Sequence, residues 1–269
     1  MPHKYFQIDG VATYVHHTGK TTLPGRPPAI EQGVAIVCLH GAGGHGQLFA
    51  GVMTGLEASH TVIAFDQPGH GRSGSLDSLA DIGRMADFTW QLLDALELDR
   101  AVLVGHDMGA AVAIRCALDR PASVHALVLC SAGDRFELSD EALDLARRVR
   151  DGKERRAFDA SVFSKKASPD VMKQAFMEGL KTDPRATCGD LVACAQWADA
   201  DRLGEIGAPT FVIHGTDDHA WLKARAAALA KAIPGALLDT IPDAGHSLLL
   251  EAPVALAERI GARLGGMPS

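Results

Sequence analysis

The sequence predicts an α/β protein: a mostly parallel, doubly wound sheet with a helical segment inserted late in the chain. Three observations predict it. Short β-branched apolar runs alternate with helical stretches from Val34 to Ser131, at the length of βαβ units. The alternation stops after Gly133, gives way to charged, helical sequence, and resumes at Thr210. Between them, Ala101-Val102-Leu103-Val104 runs into Gly105-His106-Asp107-Met108-Gly109 and then into small-residue helical sequence, so a strand meets a helix across a sharp turn.

The elements follow in order. Residues 4–18 alternate and turn at Asp9-Gly10, which reads as an antiparallel hairpin. Val34–Leu39 is an apolar strand ending in His40-Gly41-Ala42-Gly43-Gly44, and Thr61–Phe65 is another, followed by Asp66-Gln67-Pro68-Gly69-His70-Gly71-Arg72-Ser73. Leu79–Leu98 and Met108–Leu118 carry the clearest helical pattern, with a strand over His125–Cys130 after them. Ser139 and Ser168-Pro169 are helix-start signals, and Ala208-Pro209 marks the return from the helical stretch. A strand over Thr210–His214 leads into Gly215-Thr216-Asp217-Asp218. A helix over about 221–232, a strand over Leu237–Ile241, the loop Ala244-Gly245-His246-Ser247 and a helix ending near Leu264 complete the chain. Residues 1–134 and 205–269 are thus expected to form the core, and 135–204 an insert.

Composition narrows the function classes. The chain has 269 residues, 47% hydrophobic and 22% charged, a length that fits one large α/β domain, two small ones, or a core with an insert. Net charge is −7, and the most basic stretch, Arg147 to Arg156, is interleaved with Asp151 and Glu154, so it reads as a solvated helix face and no nucleic-acid partner is expected. The five cysteines are scattered without a CxxC pair, which argues against a zinc site or disulfide framework and suits reduced thiols in a cytoplasmic protein. The twelve histidines form no HxxxH or HExxH pattern, so no metal is expected. The first residues have no apolar signal core and no later run approaches a membrane span, so no membrane association is expected. The partner is expected to be a small-molecule substrate, with the chain a monomer or homodimer and no cofactor.

Glycine two positions either side of Asp107 is what a nucleophile elbow requires. The central residue is held in a strained conformation, and a Cβ at either flank would meet the neighbouring backbone. With the His40–Gly44 loop, the Asp66–Ser73 loop, the Gly215–Asp218 turn and His246, in the order Asp107, Asp218, His246, the chain resembles the α/β-hydrolase fold superfamily over nearly its whole length. The resemblance implies that 135–204 is a helical cap, that His246 is a general base, and that Asp218 is its acid, with Asp217 and Asp134 as alternatives. It also implies an oxyanion hole from the backbone N–H groups of Ala42 and Met108. His40, Phe136 and Trp197 are pocket candidates, as are Phe158, Phe163 and Phe176. A structural role competes for each, and for His106 and the Gly69–Ser73 loop.

The elbow residue in such frames is usually serine, and here it is aspartate. A carboxylate attacking an ester carbonyl forms an adduct that must expel an alkoxide rather than itself. A gap of roughly 12 pKa units, about 16 kcal/mol, drives that adduct back. Attack on a saturated carbon bearing a leaving group instead makes an ester on Asp107, which His246-activated water can cleave. That is the logic of epoxide hydrolases and of haloalkane and haloacetate dehalogenases. The sequence departs from each. Its only tyrosines are Tyr5 and Tyr14, outside the insert, the position after the nucleophile is Met108 rather than tryptophan, and Met108 and Ala111 stand where haloacetate enzymes place arginines. The insert also contains no histidine. The glycine-rich loop and Gly-His-x-Met-Gly frame look more like serine esterases, lactonases and carbon–carbon bond hydrolases. Three readings follow: alkyl-enzyme chemistry on Asp107, an esterase- or lactonase-like frame with its serine replaced, and a catalytically silent small-molecule receptor.

Overall fold

A computed structural model describes residues 1–30 and 33–267. Its eight-stranded sheet runs in the order β1-β2-β4-β3-β5-β6-β7-β8. Strands β1 (His3–Ile8) and β2 (Val11–His17) form the hairpin about Asp9-Gly10, and β2 lies antiparallel to β4. The remaining strands, β3 (Ala35–Leu39), β4 (Val62–Phe65), β5 (Ala101–His106), β6 (Val124–Cys130), β7 (Thr210–Gly215) and β8 (Leu237–Ile241), are parallel. The sequence places these strands to within a residue or two.

The central strands read as unbroken apolar runs because both sheet faces are covered. On one face, Val37, Leu39 and Leu103 pack under α2 (Ile82–Ala95) and α3 (Met108–Asp119). On the other, Ile36, Cys38 and Val104 pack under α1 (Ala50–Leu56) and a C-terminal helix over Pro253–Gly265. α1 went unread in the sequence because it is short and contains two glycines, Gly51 and Gly55, that let Pro253 and Ala257 come close.

Between β6 and β7 the chain forms α4 (Asp140–Arg150), α5 (Pro169–Gly179) and α6 (Pro184–Gln196) and no strand. Ser139 and Ser168 cap α4 and α5 through their side chains, as the start signals imply. α4 places Asp140 and Glu141 in its first turn and arginines in its last, and packs along α6 through half-buried Ala142, Ala146 and Val149. α6 is the anchor: it buries Ala186, Cys188, Asp190, Ala193 and Cys194. After β7 the chain forms α7 (Ala220–Ala232), and after β8 the short α8 (Leu248–Glu251) and α9, the Pro253–Gly265 helix.

Candidate active site

The site is assembled at the carboxyl ends of β3, β5, β7 and β8, where parallel sheets present their loops. Asp107 links β5 to α3 with φ 51° and ψ −119°, a conformation that costs an L-residue about 1–3 kcal/mol. The turn is held by the Asp107 N–H on the Cys130 carbonyl (3.0 Å) and the Ala110 N–H on the Asp107 carbonyl (3.0 Å). The flanking glycines are a steric demand. A Cβ on Gly105 would lie 2.3 Å from the Gly109 oxygen, and one on Gly109 would lie 2.0 Å from the Leu39 oxygen. Because those are backbone atoms of packed elements, Gly109→Ala is expected to destabilise the fold by about 3 kcal/mol or more in denaturant unfolding. Gly204→Ala, with nothing near its added methyl, should stay within about 0.5 kcal/mol. Equal unfolding midpoints for the two variants would contradict the steric account.

Asp107 Oδ2 accepts the Ala42 N–H at 3.1 Å, so the carboxylate already sits on one of the two expected oxyanion donors. Met108 opens α3, so its N–H is among those that a helix leaves without an internal partner. On the other side, His246 Nδ1 stands 3.5 Å from Asp218 Oδ1, a charge pair at the outer edge of hydrogen-bond reach. Burial opposes charge on the imidazole, but Asp218, Asp107 and Asp159 outweigh it and raise the His246 pKa. Asp218 is itself buried. That burial is outweighed by His246, the His219 N–H (2.8 Å) and Ser131, so its pKa is lowered.

The acid alternatives are placed elsewhere. Asp217 is exposed in the same turn, and Asp134 lies 3.9 Å from Arg225 Nη1. His106 runs beneath the site and touches the His246 carbonyl through Nε2 (2.9 Å), and burial lowers its pKa. Glu251, not singled out in the sequence, receives the Gly245 N–H (3.0 Å) and the Ser164 N–H (2.8 Å), tying the His246 loop to the helical segment.

A cleft of about 520 Å³ opens above Ala42, Gly43 and Ser247, walled by Val162, Phe163, Phe176 and Leu180. Phe158 also lines it, whereas His40, Phe136 and Trp197 do not. His40 is buried below the loop, donating from Nδ1 to the Gly41 carbonyl (2.9 Å) and accepting the Gln67 N–H on Nε2 (3.1 Å). Phe136 and Trp197 pack edge-to-face at 5.6 Å against the α2–α3 face of the core. Arg156 corrects the reading of the basic stretch: the chain leaves α4 at Arg150, and this arginine turns into the cleft.

Asp190 of α6 is the least anticipated member. Fully buried, its Oδ2 accepts both the Gly43 N–H (2.8 Å) and His70 Nε2 (2.8 Å). His70 Nδ1 lies 3.0 Å from the Pro68 carbonyl, so both ring nitrogens face acceptors, an arrangement that favours the protonated ring. Burial works against that charge, but Asp190 more than offsets it and raises the pKa. The neighbouring His40 is pushed to about 4 by burial and by His70, whose ring lies 4.8 Å away. Asp190 thus joins α6 to both the His40–Gly44 loop and the Gly69–Ser73 loop.

Among the described residues there is no cluster of three or more His, Cys, Asp or Glu able to hold a metal ion, and no helix long and apolar enough to cross a membrane. The five cysteines are buried and unpaired. Residues 34–253 match the alpha/beta hydrolase fold family. RutD of Variovorax paradoxus, named for carbamate hydrolysis, is 33% identical over 231 residues, 80% of this chain and 85% of RutD. Of solved structures, the enol-lactonase from Burkholderia xenovorans LB400 is similar at TM-score 0.85 and 22% identity, covering 97% of this chain and 99% of its own. An N-acyl homoserine lactone degrading enzyme is similar at TM-score 0.75 and 30% identity, with coverage of 97% and 99%.

Proposed function

The chain belongs to the α/β-hydrolase fold family, and from that premise we propose that it hydrolyses small organic molecules on an esterase- and lactonase-like frame. In this reading Asp107 replaces the frame's usual serine and residues 135–204 are the cap that shapes the pocket. The observation that carries the reading is the meeting of Asp107, the Asp218–His246 pair and the Ala42 N–H at the strand ends. The similarity to proteins named as an enol-lactonase and a lactone degrading enzyme supports the frame.

On a carbonyl substrate the attacking group is water. His246 removes its proton, and Asp218 fixes the ring and stabilises the imidazolium. The adduct's oxyanion falls to Met108 N–H and, once the Asp107 side chain withdraws from it, to Ala42 N–H; the adduct then collapses, breaking the bond to the leaving oxygen, which departs with the proton that His246 returns.

The Ala42 N–H bond to Asp107 Oδ2 favours a second reading. There, the other carboxylate oxygen displaces a leaving group from saturated carbon. The Oδ2 of the resulting ester already lies where its own oxyanion will form. Water deprotonated by His246 attacks the Asp107 carboxyl carbon, and the alcohol departs with the proton that His246 returns.

A single turnover in ¹⁸O-water decides between them, run on epoxides, haloalkanes, haloacids, activated esters and lactones, with Asp107→Ser alongside. Label found only in product, with ester hydrolysis rising strongly in Asp107→Ser, is the outcome expected of the esterase-like frame. Label in the Asp107 carboxylate would replace it by the alkyl-enzyme route. Tight binding without turnover in either protein would make the chain a receptor and end the hydrolase proposal.

A further inference from the structure

Arg156 is a cation in the cleft with no anion of its own. It lines the cleft beside Ala42 and Gly43 and also a second, adjoining cleft of about 460 Å³ toward α4, the two meeting at Arg156, Phe158 and Thr187. Its guanidinium is half-buried and donates only to neutral oxygens: the Gly179 carbonyl, Thr187 Oγ1 at 2.7 Å and the Thr182 carbonyl at 3.4 Å. No carboxylate among the described residues lies within ion-pair distance. The nearby Asp183 is taken by Arg185 (2.9 Å), and Asp159, which shares the cleft, accepts the Ser161 N–H and hydroxyl on Oδ1 at 2.8 and 2.6 Å. Arg147 and Arg150, on the exposed α4, each sit on an aspartate at 2.7 and 2.8 Å. Burial without a paired anion lowers the Arg156 pKa, whereas pairing with Asp151 raises that of Arg150.

One use is evident, since the Gly179 carbonyl ends α5, the Thr182 carbonyl follows it in the turn to α6, and a cation there suits the helix dipole. With Thr187 counted, these bonds leave Nε–H and one Nη1–H without a partner, so a carboxylate meets the guanidinium through a single charge-assisted N–H contact. The position is also specific. Thr187 Oγ1, bonded to the guanidinium, would lie 2.9 Å from a Cβ placed on Gly43, so the cation stands one side chain away from the oxyanion loop.

We propose that Arg156 receives a carboxylate of the substrate, so that the site selects small organic acids whose reacting bond lies at the end opposite the carboxylate. The methylenes between them run along Phe158, Phe163 and Phe176. Thr187 acts as a positioning residue that aims the guanidinium. The inference rests on the reading of Asp107 and His246 as the reacting end, but its test requires no turnover.

Isothermal titration of the full chain with hexanoate and with the isosteric neutral hexanamide reads the preference directly. Wild type is expected to bind hexanoate about tenfold tighter or more. Arg156→Met should abolish that preference while hexanamide binding stays within about twofold, and Arg156→Lys should retain part of it. If Arg156→Met does not fold by circular dichroism, Thr187→Val carries the test, with an expected loss of hexanoate affinity of about threefold and none for hexanamide. Absence of a carboxylate preference in wild type, including failure to bind either probe, overturns the proposal, as does a preference that survives Arg156→Met or, where that variant does not fold, Thr187→Val. A role confined to capping α5 would lower the melting temperature and leave the preference intact. Failure here leaves the ¹⁸O result standing, and failure of turnover leaves this binding result standing.

Discussion

His246→Gln is expected to abolish turnover, by about a millionfold on the scale that loss of a triad base has elsewhere, while substrate binding changes little. Glutamine keeps much of the volume of the ring but has no nitrogen that can take a proton from water at neutral pH. If Asp107 is the nucleophile, the first step survives in this variant and the second stops. Intact-protein mass spectrometry should then find the enzyme heavier by the alkyl fragment of the substrate. Unmodified protein together with lost turnover points to direct water attack. Undiminished activity would remove His246 from the mechanism.

Asp218→Asn has the next largest expected effect, about 10⁴-fold in kcat, because an amide no longer fixes the tautomer or supports the imidazolium. The pH dependence gives an independent readout. His246 acts as a base only when neutral, and its raised pKa sets the acid limb of the rate profile above the ordinary histidine value. Without Asp218 the opposing effect of burial is less well balanced, so the acid limb should move to lower pH. Asp134→Asn, whose carboxylate faces Arg225, should leave both rate and profile near wild type. The reverse pattern would transfer the acid to the end of β6.

Features dictated by local sterics were legible in the sequence. Gly105 and Gly109 announce the elbow because no other residue lets β3, β5 and α3 approach so closely, and the buried strands announce themselves as uniform apolar runs. The triad candidates were legible because each follows a recognisable strand. What depends on distant partners was not. Asp190 and His70 are 120 residues apart, and nothing near Asp190 in the sequence marks it as the acid of a buried pair. Arg156 was hidden by its neighbours: Lys153, Glu154 and Arg155 are exposed, so composition averages the one inward-facing cation into a solvated stretch. Phe136 and Trp197 were assigned to the pocket by aromatic character alone, which does not say which side of α6 a ring falls on.

The Asp190–His70 pair also bears on how such proteins are recombined. One partner belongs to α6, between β6 and β7, and the other to the loop after β4, and the same carboxylate oxygen holds Gly43. Replacing the segment between β6 and β7 would remove Asp190 and leave His70 Nε2 buried without its acceptor, and burial would then push the ring to the neutral form. Moving that segment to another sheet would strand the buried Asp190 carboxylate without His70 or the Gly43 N–H, at a cost of about 3–5 kcal/mol. Successful chimeras must therefore transplant both partners together, and the seam that divides the architecture neatly on a topology diagram is the wrong place to cut.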